Sequence, residues 1–266
     1  MTYIIAYVRW NPDPVLIDLG FFALRWYGLL FATGIVLSYL FVQQGFRKAG
    51  FAPVLFDNFS VAMVLGMFVG MRLGHFLFYE PAAFVERPLE VFLPISLSPH
   101  LHLTGYQGLA SHGGAIGILI AIGWFVSKYP AVSATFVFNQ LAVVAPLAGG
   151  FIRLGNLMNS EIIGRPTDVP WAFVFASIDS LPRHPTPLYE AASYFTIFAL
   201  LINLPSSFRR RARLTGLFLI LLFGARFLIE FFKEDQAFFE QALWLNMGQW
   251  LSLPFIVAGI VIWRRR

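Results

Sequence analysis

The segment Phe151–Arg165, FIRLGNLMNSEIIGR, sets Arg153, Asn156, Asn159, Glu161 and Arg165 directly behind an apolar run. A guanidinium fork grips phosphate oxygens through two parallel hydrogen bonds, and an asparagine beside it can donate and accept at once. Arg153, Asn156 and Asn159 stand at i, i+3 and i+6, so they share a polar stripe if a helix continues through them; Gly164 and the prolines beyond it end any such helix. A second arginine lies in GARFLIEFFKEDQ, where Arg226 and Glu230 stand one helical turn apart in another apolar run. Either Glu230 neutralises Arg226 as an i,i+4 pair, or Arg226 serves an anion or a water-filled cavity. Arg153 has a similar choice, since an arginine at a helix end can snorkel to headgroups. Taken together, two arginines at one depth suit a phosphate.

GLASHGGA, at Gly108–Ala115, adds an imidazole. With Ser111 as N-cap, His112 occupies the first turn of a helix, where the backbone dipole disfavours imidazolium and leaves a neutral ring able to accept a proton. The same residues also read as a helix cap followed by a glycine pair for close helix packing. No Gly-x-Ser-x-Gly elbow occurs, and neighbouring Ser111 and His112 point about 100° apart on a helix, so no hydrolase triad is indicated. RHPTPLYEA, from Arg183 to Ala191, re-enters an apolar run through two prolines, with Tyr189 and Glu190 in the first turns and His184 read as structural. Tyr27, Arg72 and His75 complete the polar set, with no chemistry assigned to His75 or Pro187.

These groups must be positioned by membrane helices. The chain is 58% hydrophobic and only 12% charged, with 30 Phe, a composition of an integral membrane protein. About 20 mainly apolar residues cross a bilayer, and seven windows qualify: Phe21 to Val42, Val54 to Tyr79, His112 to Ser127, Thr135 to Ile152, Pro187 to Leu204, Thr215 to Phe232 and Trp244 to Trp263. Arg47 and Lys48, Lys128, the Arg209–Arg213 cluster and Arg264 to Arg266 fall on one side, which the positive-inside rule makes cytoplasmic. The fold expected is therefore an all-α polytopic membrane protein of about seven transmembrane helices. Its N-terminus is outside and its C-terminus cytoplasmic. Residues 1–266 form a single membrane-embedded domain with external segments at about 80–111 and 153–186. The opening residues lack the order of a cleaved signal peptide.

On this topology Tyr27, Arg72, His75, His112, Arg153, Asn156, Arg226 and Glu230 gather toward the outer leaflet, with Arg226 roughly 10 Å below its helix end. The net charge of +5 lies in juxtamembrane clusters rather than on a soluble basic face, so nucleic acid is not an expected partner. The chain has no Cys, so any sulfur nucleophile must come from a partner. A small-anion transporter would also use buried arginines, but it needs polar residues through the inner half of the spans; Ser38, Asp57 and Gln140 are sparse there.

The motifs SHGG, RLGNLMNSEIIGR, RHPTPLYEA and GARFLIEFFKEDQ, together with LRWYGLLF at Leu24–Phe31 and GMRLGHFLFY at Gly70–Tyr79, resemble the bacterial prolipoprotein diacylglyceryl transferases over nearly the whole chain. That resemblance implies transfer of a diacylglyceryl group from phosphatidylglycerol to the lipobox cysteine of a lipoprotein precursor. Glycerol phosphate leaves, in the first step of bacterial lipoprotein maturation. It implies catalytic roles for His112, Arg153 and Arg226, and substrate-binding roles for Tyr27, Asn156, Glu161, Gly164 and Glu230. Glu161 and Glu230 are expected to orient and partly neutralise the arginines. No cofactor and no metal are expected, and the implied location is the bacterial inner membrane with the site facing the outer leaflet.

Overall fold

The computed structural model describes residues 7–20, 23–92, 95–96, 102–103, 110–209, 211–234 and 244–264. Most of the chain is helical: α1 (Trp26–Lys48), α2 (Pro53–Tyr79), the short α3 (Ala83–Glu86) and α4 (Pro88–Phe92), α5 (Ser111–Lys128), α6 (Ala134–Met158), α7 (Thr186–Ile202), the short α8 (Ser206–Arg209), α9 (Arg213–Ile229) and α10 (Met247–Arg264). A 3₁₀ turn, Glu230–Phe232, continues α9. Five of these, α1, α2, α6, α9 with its 3₁₀ turn, and α10, are long and apolar enough to cross a membrane, while α5 and α7 are shorter apolar helices.

Every apolar window of the sequence holds one helix, but the ends differ from expectation for local reasons. The first helix starts at Trp26 because the residues before it form a hairpin of β2 (Val15–Asp18) and β3 (Ala23–Arg25). The fourth runs on past Ile152 to Met158, so Arg153 and Asn156 are helical residues rather than loop residues. Asn159 falls just beyond it. Helix α5 begins at Ser111 with Ala110 at the cap position, so the expected N-cap is one residue too late, though His112 does occupy the first turn. The fold is also not purely helical. β1 (Val8–Trp10) pairs in parallel with β6 (Phe173–Phe175), which pairs antiparallel with β7 (Pro182–Arg183); β4 (Ile95–Ser96) pairs antiparallel with β5 (His102–Leu103). Strands this short carry too few residues for an alternating pattern to stand out in an apolar sequence.

The chain forms two compact units, residues 1–44 with 138–266, and residues 45–137. In the second unit α2 and α5 touch backbone to backbone. A Cβ on Gly70 would lie 2.4 Å from the Gly113 carbonyl oxygen, and one on Gly117 would lie 2.0 Å from that of Gly66. Gly113 of the SHGG motif is thus required by helix packing. Below it, Phe46, Phe56, Phe59, Phe125 and Phe136 form a linked aromatic core. Val61, Leu65 and Val69 on α2, and Ile116, Leu119 and Ile120 on α5, are exposed. An apolar helical surface of that extent suits lipid rather than water.

In the first unit α9 is clasped by α7 and α10. Gly216 and Gly259 bring α9 and α10 into close contact, Phe223 stacks on Phe255 at 4.3 Å, and Ile197, Leu201 and Leu214 bury the α7–α9 seam. Gly34 lets α1 lie against Ala148 and Phe151 of α6. The mixed sheet is anchored to the end of α6 where Trp10 Nε1 donates to the Leu157 carbonyl at 2.9 Å.

Candidate active site

Seven of the eight expected site residues belong to the first unit, and the geometry there is a chain of charges. Arg153, on the last turns of α6, sets Nε 2.9 Å from Oε2 of Glu190 and donates from Nη1 to Oδ1 of Asn156 at 3.1 Å. The Nε contact is ionic rather than an aligned hydrogen bond, since Glu190 Oε2 has no hydrogen-bond partner. Asn156 passes the connection on, donating from Nδ2 to Glu161 at 2.8 Å, and Asn159 donates to the other Glu161 oxygen at 3.1 Å. The Arg153 guanidinium also lies within side-chain hydrogen-bonding reach of the Tyr194 hydroxyl. Tyr27 lies flat against α6: a Cβ on Gly155 would be 2.8 Å from its ring, and its hydroxyl is within electrostatic reach of Arg153 and Glu161.

Glu190 is fully buried in the first turns of α7 and holds a second cation, Lys233, at 3.0 Å. Lys233 Nζ also reaches Glu230 at 3.0 Å. A lysine that is 2% exposed between two carboxylates is tolerated only because both pairings are made. This arrangement alters two expectations. Glu190, rather than Glu161 or Glu230, is the carboxylate that neutralises Arg153, and Glu161 reaches that arginine only through Asn156. Glu230 does not pair with Arg226. Its carboxylate bonds Lys233 and lies over Gly248 at the start of α10, where a Cβ would fall 2.4 to 2.6 Å from the carboxyl atoms.

The Arg226 side chain consequently makes no hydrogen bond or ion pair among the described residues. It is not isolated, because the hydroxyl of buried Tyr194 is within electrostatic reach of Arg226, Arg153 and Glu190 alike. Two guanidinium groups thus share one neighbour, and among the described residues only Arg153 has a protein counter-ion. That is the arrangement of a site for an anionic ligand.

The loop after α6 fixes this set in place. Ser160 and Ile162 adopt positive φ of 56° and 55°, an unfavourable conformation for a β-branched residue. It is held by Glu161 N–H donating to the Asn156 carbonyl and by Thr186 Oγ1 donating to the Ile162 carbonyl at 2.7 Å. Gly164, an expected substrate-binding residue, is packed so closely that a Cβ would lie 2.6 Å from the Phe232 carbonyl oxygen and from His184 Cβ. Its carbonyl accepts from Arg183, which also clamps Asp179 at 2.6 Å and Glu234 at 3.1 Å. The Arg183 hydrogen bonds hold the Asp179 carboxyl below its usual range. His184 bonds the Tyr189 hydroxyl at 3.1 Å, and burial lowers its imidazole pKa, in keeping with a structural role.

His112 belongs to the second unit. It is exposed on the first turn of α5, with its ring edge-on to Phe78 at 5.0 Å and tilted against Tyr79 at 5.9 Å. His75 contacts Glu80 at 3.2 Å, and Arg72 donates to the carbonyls of Glu90 and Val91 while lying over Phe76. Both therefore serve the second unit's own packing.

Glu190, Lys233 and Tyr194 were not among the expected site residues. Glu190 had a usable signal, an acid inside an apolar window; Lys233 had one only once the 3₁₀ turn after α9 was known.

The geometry can now be set beside known proteins. A family model described as prolipoprotein diacylglyceryl transferase matches residues 14–265. The phosphatidylglycerol–prolipoprotein diacylglyceryl transferase of Tolumonas auensis is 47% identical over 255 residues, covering 95% of each chain. That of Bacteroides fragilis is 42% identical over 265 residues, covering 98% of this chain and 95% of the relative. That of Chloroherpeton thalassium is 39% identical over 260 residues, covering 97% and 93%. This chain belongs to the prolipoprotein diacylglyceryl transferase family.

Proposed function

We propose that the protein transfers the diacylglyceryl group of phosphatidylglycerol to the lipobox cysteine of a lipoprotein precursor, the first step of lipoprotein maturation. The observation that carries this reading is Arg226, whose side chain has no ion pair among the described residues and which shares the neighbour Tyr194 with Arg153. Both would meet one phosphate. A thiol has a reference pKa of about 8.5, so at neutral pH only a small fraction is thiolate and a base assists it. The sulfur attacks the glyceryl carbon, a C–S bond forms as the C–O bond to phosphate breaks, and the electron pair leaves on the phosphate. Arg153 and Arg226 stabilise that growing charge. His112 accepts the thiol proton in this scheme. Tyr27 and Asn156 bind the headgroup, Glu161 and Glu230 orient the cations, and Gly164 holds the loop that carries them.

The same reading places the protein in the bacterial inner membrane as one membrane-embedded domain of seven spans, its N-terminus outside and its site facing the outer leaflet. The lipid tails then stay in the bilayer while the headgroup reaches the arginines. The test is incubation of purified protein with phosphatidylglycerol labelled in its acyl chains and a lipobox peptide. Label on the peptide sulfur, with release of glycerol phosphate, is expected. Peptide that stays unlabelled would overturn the proposal.

A further inference from the structure

We propose that Lys233 is a positioning residue that keeps Arg226 open for phosphate by occupying Glu230. The inference deepens the transfer reading above and rests on it. It starts from backbone geometry. Glu230 stands one α-helical turn beyond Arg226, its N–H donating to the Arg226 carbonyl, so the two share a stripe and are natural partners. The helix changes type at that residue: α9 ends at Ile229 and Glu230–Phe232 form a 3₁₀ turn, closed by Lys233 N–H donating to the Glu230 carbonyl at 3.2 Å. A 3₁₀ turn eclipses side chains at i and i+3. Glu230 therefore faces Lys233, and the Nζ–Oε2 distance is 3.0 Å.

Two further contacts hold the carboxylate away from Arg226. Its far end lies over Gly248, where any side chain would overlap it. Lys233 is itself fixed, by Glu190 at 3.0 Å and by a backbone bridge to Gly164. The order of charges is then Glu230, Lys233, Glu190, Arg153, with Lys233 shared between two acids and Arg226 outside the series among the described residues. If Lys233 loses its charge, Glu230 becomes a buried carboxylate without a cation, and Arg226, four residues back, is the nearest one its helix offers.

The test is a charge cycle on the full-length enzyme in phosphatidylglycerol-containing proteoliposomes. Lys233→Met is expected to lower transfer roughly ten- to hundredfold, the effect of losing one charged hydrogen-bond donor to phosphate. Adding Glu230→Gln, which removes the carboxylate that would capture Arg226, is expected to recover part of that loss, and Lys233→Arg alone to lose less than Lys233→Met. A second measurement does not depend on transfer: the rate at which phenylglyoxal modifies Arg226, read by peptide mass spectrometry. It should fall several-fold in Lys233→Met and recover in the double variant. Should Lys233→Met fail to fold, Gly248→Ala, whose Cβ meets the Glu230 carboxylate first, is expected to lower transfer and to be relieved by Glu230→Gln. An Arg226 reactivity that ignores Lys233, or a double variant no better than the single, overturns the inference. A parent enzyme that moves no label while Arg226 reactivity follows the cycle overturns the transfer reading instead.

Discussion

Arginine and lysine bring the same charge into a membrane, but only arginine presents it as a rigid planar fork. At Arg153 that planarity serves several partners at once, with Nε toward Glu190, Nη1 toward Asn156 and the guanidinium within reach of the Tyr194 hydroxyl. Arg153→Lys keeps the charge near Glu190 yet cannot serve Asn156 and a phosphate together, and Arg226→Lys loses the two-pronged grip. Both are expected to reduce transfer at least tenfold with normal membrane insertion, measured as lipid label on peptide in matched proteoliposomes. A Lys variant close to parental activity would remove that arginine from the phosphate site. Glu190 makes a different prediction. It is buried between two cations, so Glu190→Gln leaves Arg153 without its carboxylate and Lys233 with Glu230 alone. Loss of one partner from such a set costs on the order of 3 kcal/mol, which thermal unfolding in detergent should report as a clear fall in Tm. A Tm unchanged by the substitution would mean that the acid's charge is not used.

The elements obey a coarser rule, in which small residues decide how near helices come. Gly117→Leu drives a side chain into the Gly66 carbonyl, whereas Gly123, farther along α5, has nothing within 4 Å of its missing Cβ. The first change is expected to separate α2 from α5 and cost about 1–3 kcal/mol, and Gly123→Ala to be neutral or slightly stabilising. Unfolding of the two variants side by side checks the difference. Helix positions were readable from sequence because a 20-residue apolar run has few alternatives in lipid. Their ends were not. The start of α1 depends on a hairpin whose strands are three and four residues long, and the end of α6 on whether a helix tolerates Arg153 and Asn156. Arg153, Asn156 and Glu161 were found as a set because they are near in sequence. Glu190 and Lys233, 43 residues apart, are joined only by folding. The i,i+4 pairing of Arg226 with Glu230, one of the two readings left open above, is not made, because Lys233 in the 3₁₀ turn takes the Glu230 carboxylate.

For the whole molecule the absence of Cys is both a chemical constraint and an experimental convenience. Single cysteines report topology without background: on the orientation proposed above, one at Ser207 is expected to be shielded from an impermeant maleimide in intact cells and one at Ser180 to react. The opposite pattern would move the site to the inner leaflet. The same absence bears on the order of the reaction. A covalent lipid–enzyme intermediate needs a nucleophile with an activating neighbour. Near Arg153, Lys233 is committed as a cation between two acids, and Glu190 and Glu230 are its partners. Direct displacement follows, and it requires lipid and precursor to be bound together. Initial rates with both substrates varied should give intersecting rather than parallel double-reciprocal lines. Enzyme mixed with phosphatidylglycerol alone should release no glycerol phosphate beyond slow hydrolysis. A stoichiometric burst without peptide, with label surviving on denatured protein, would exclude direct displacement and make Tyr27 and Glu230 the first residues to test as nucleophiles.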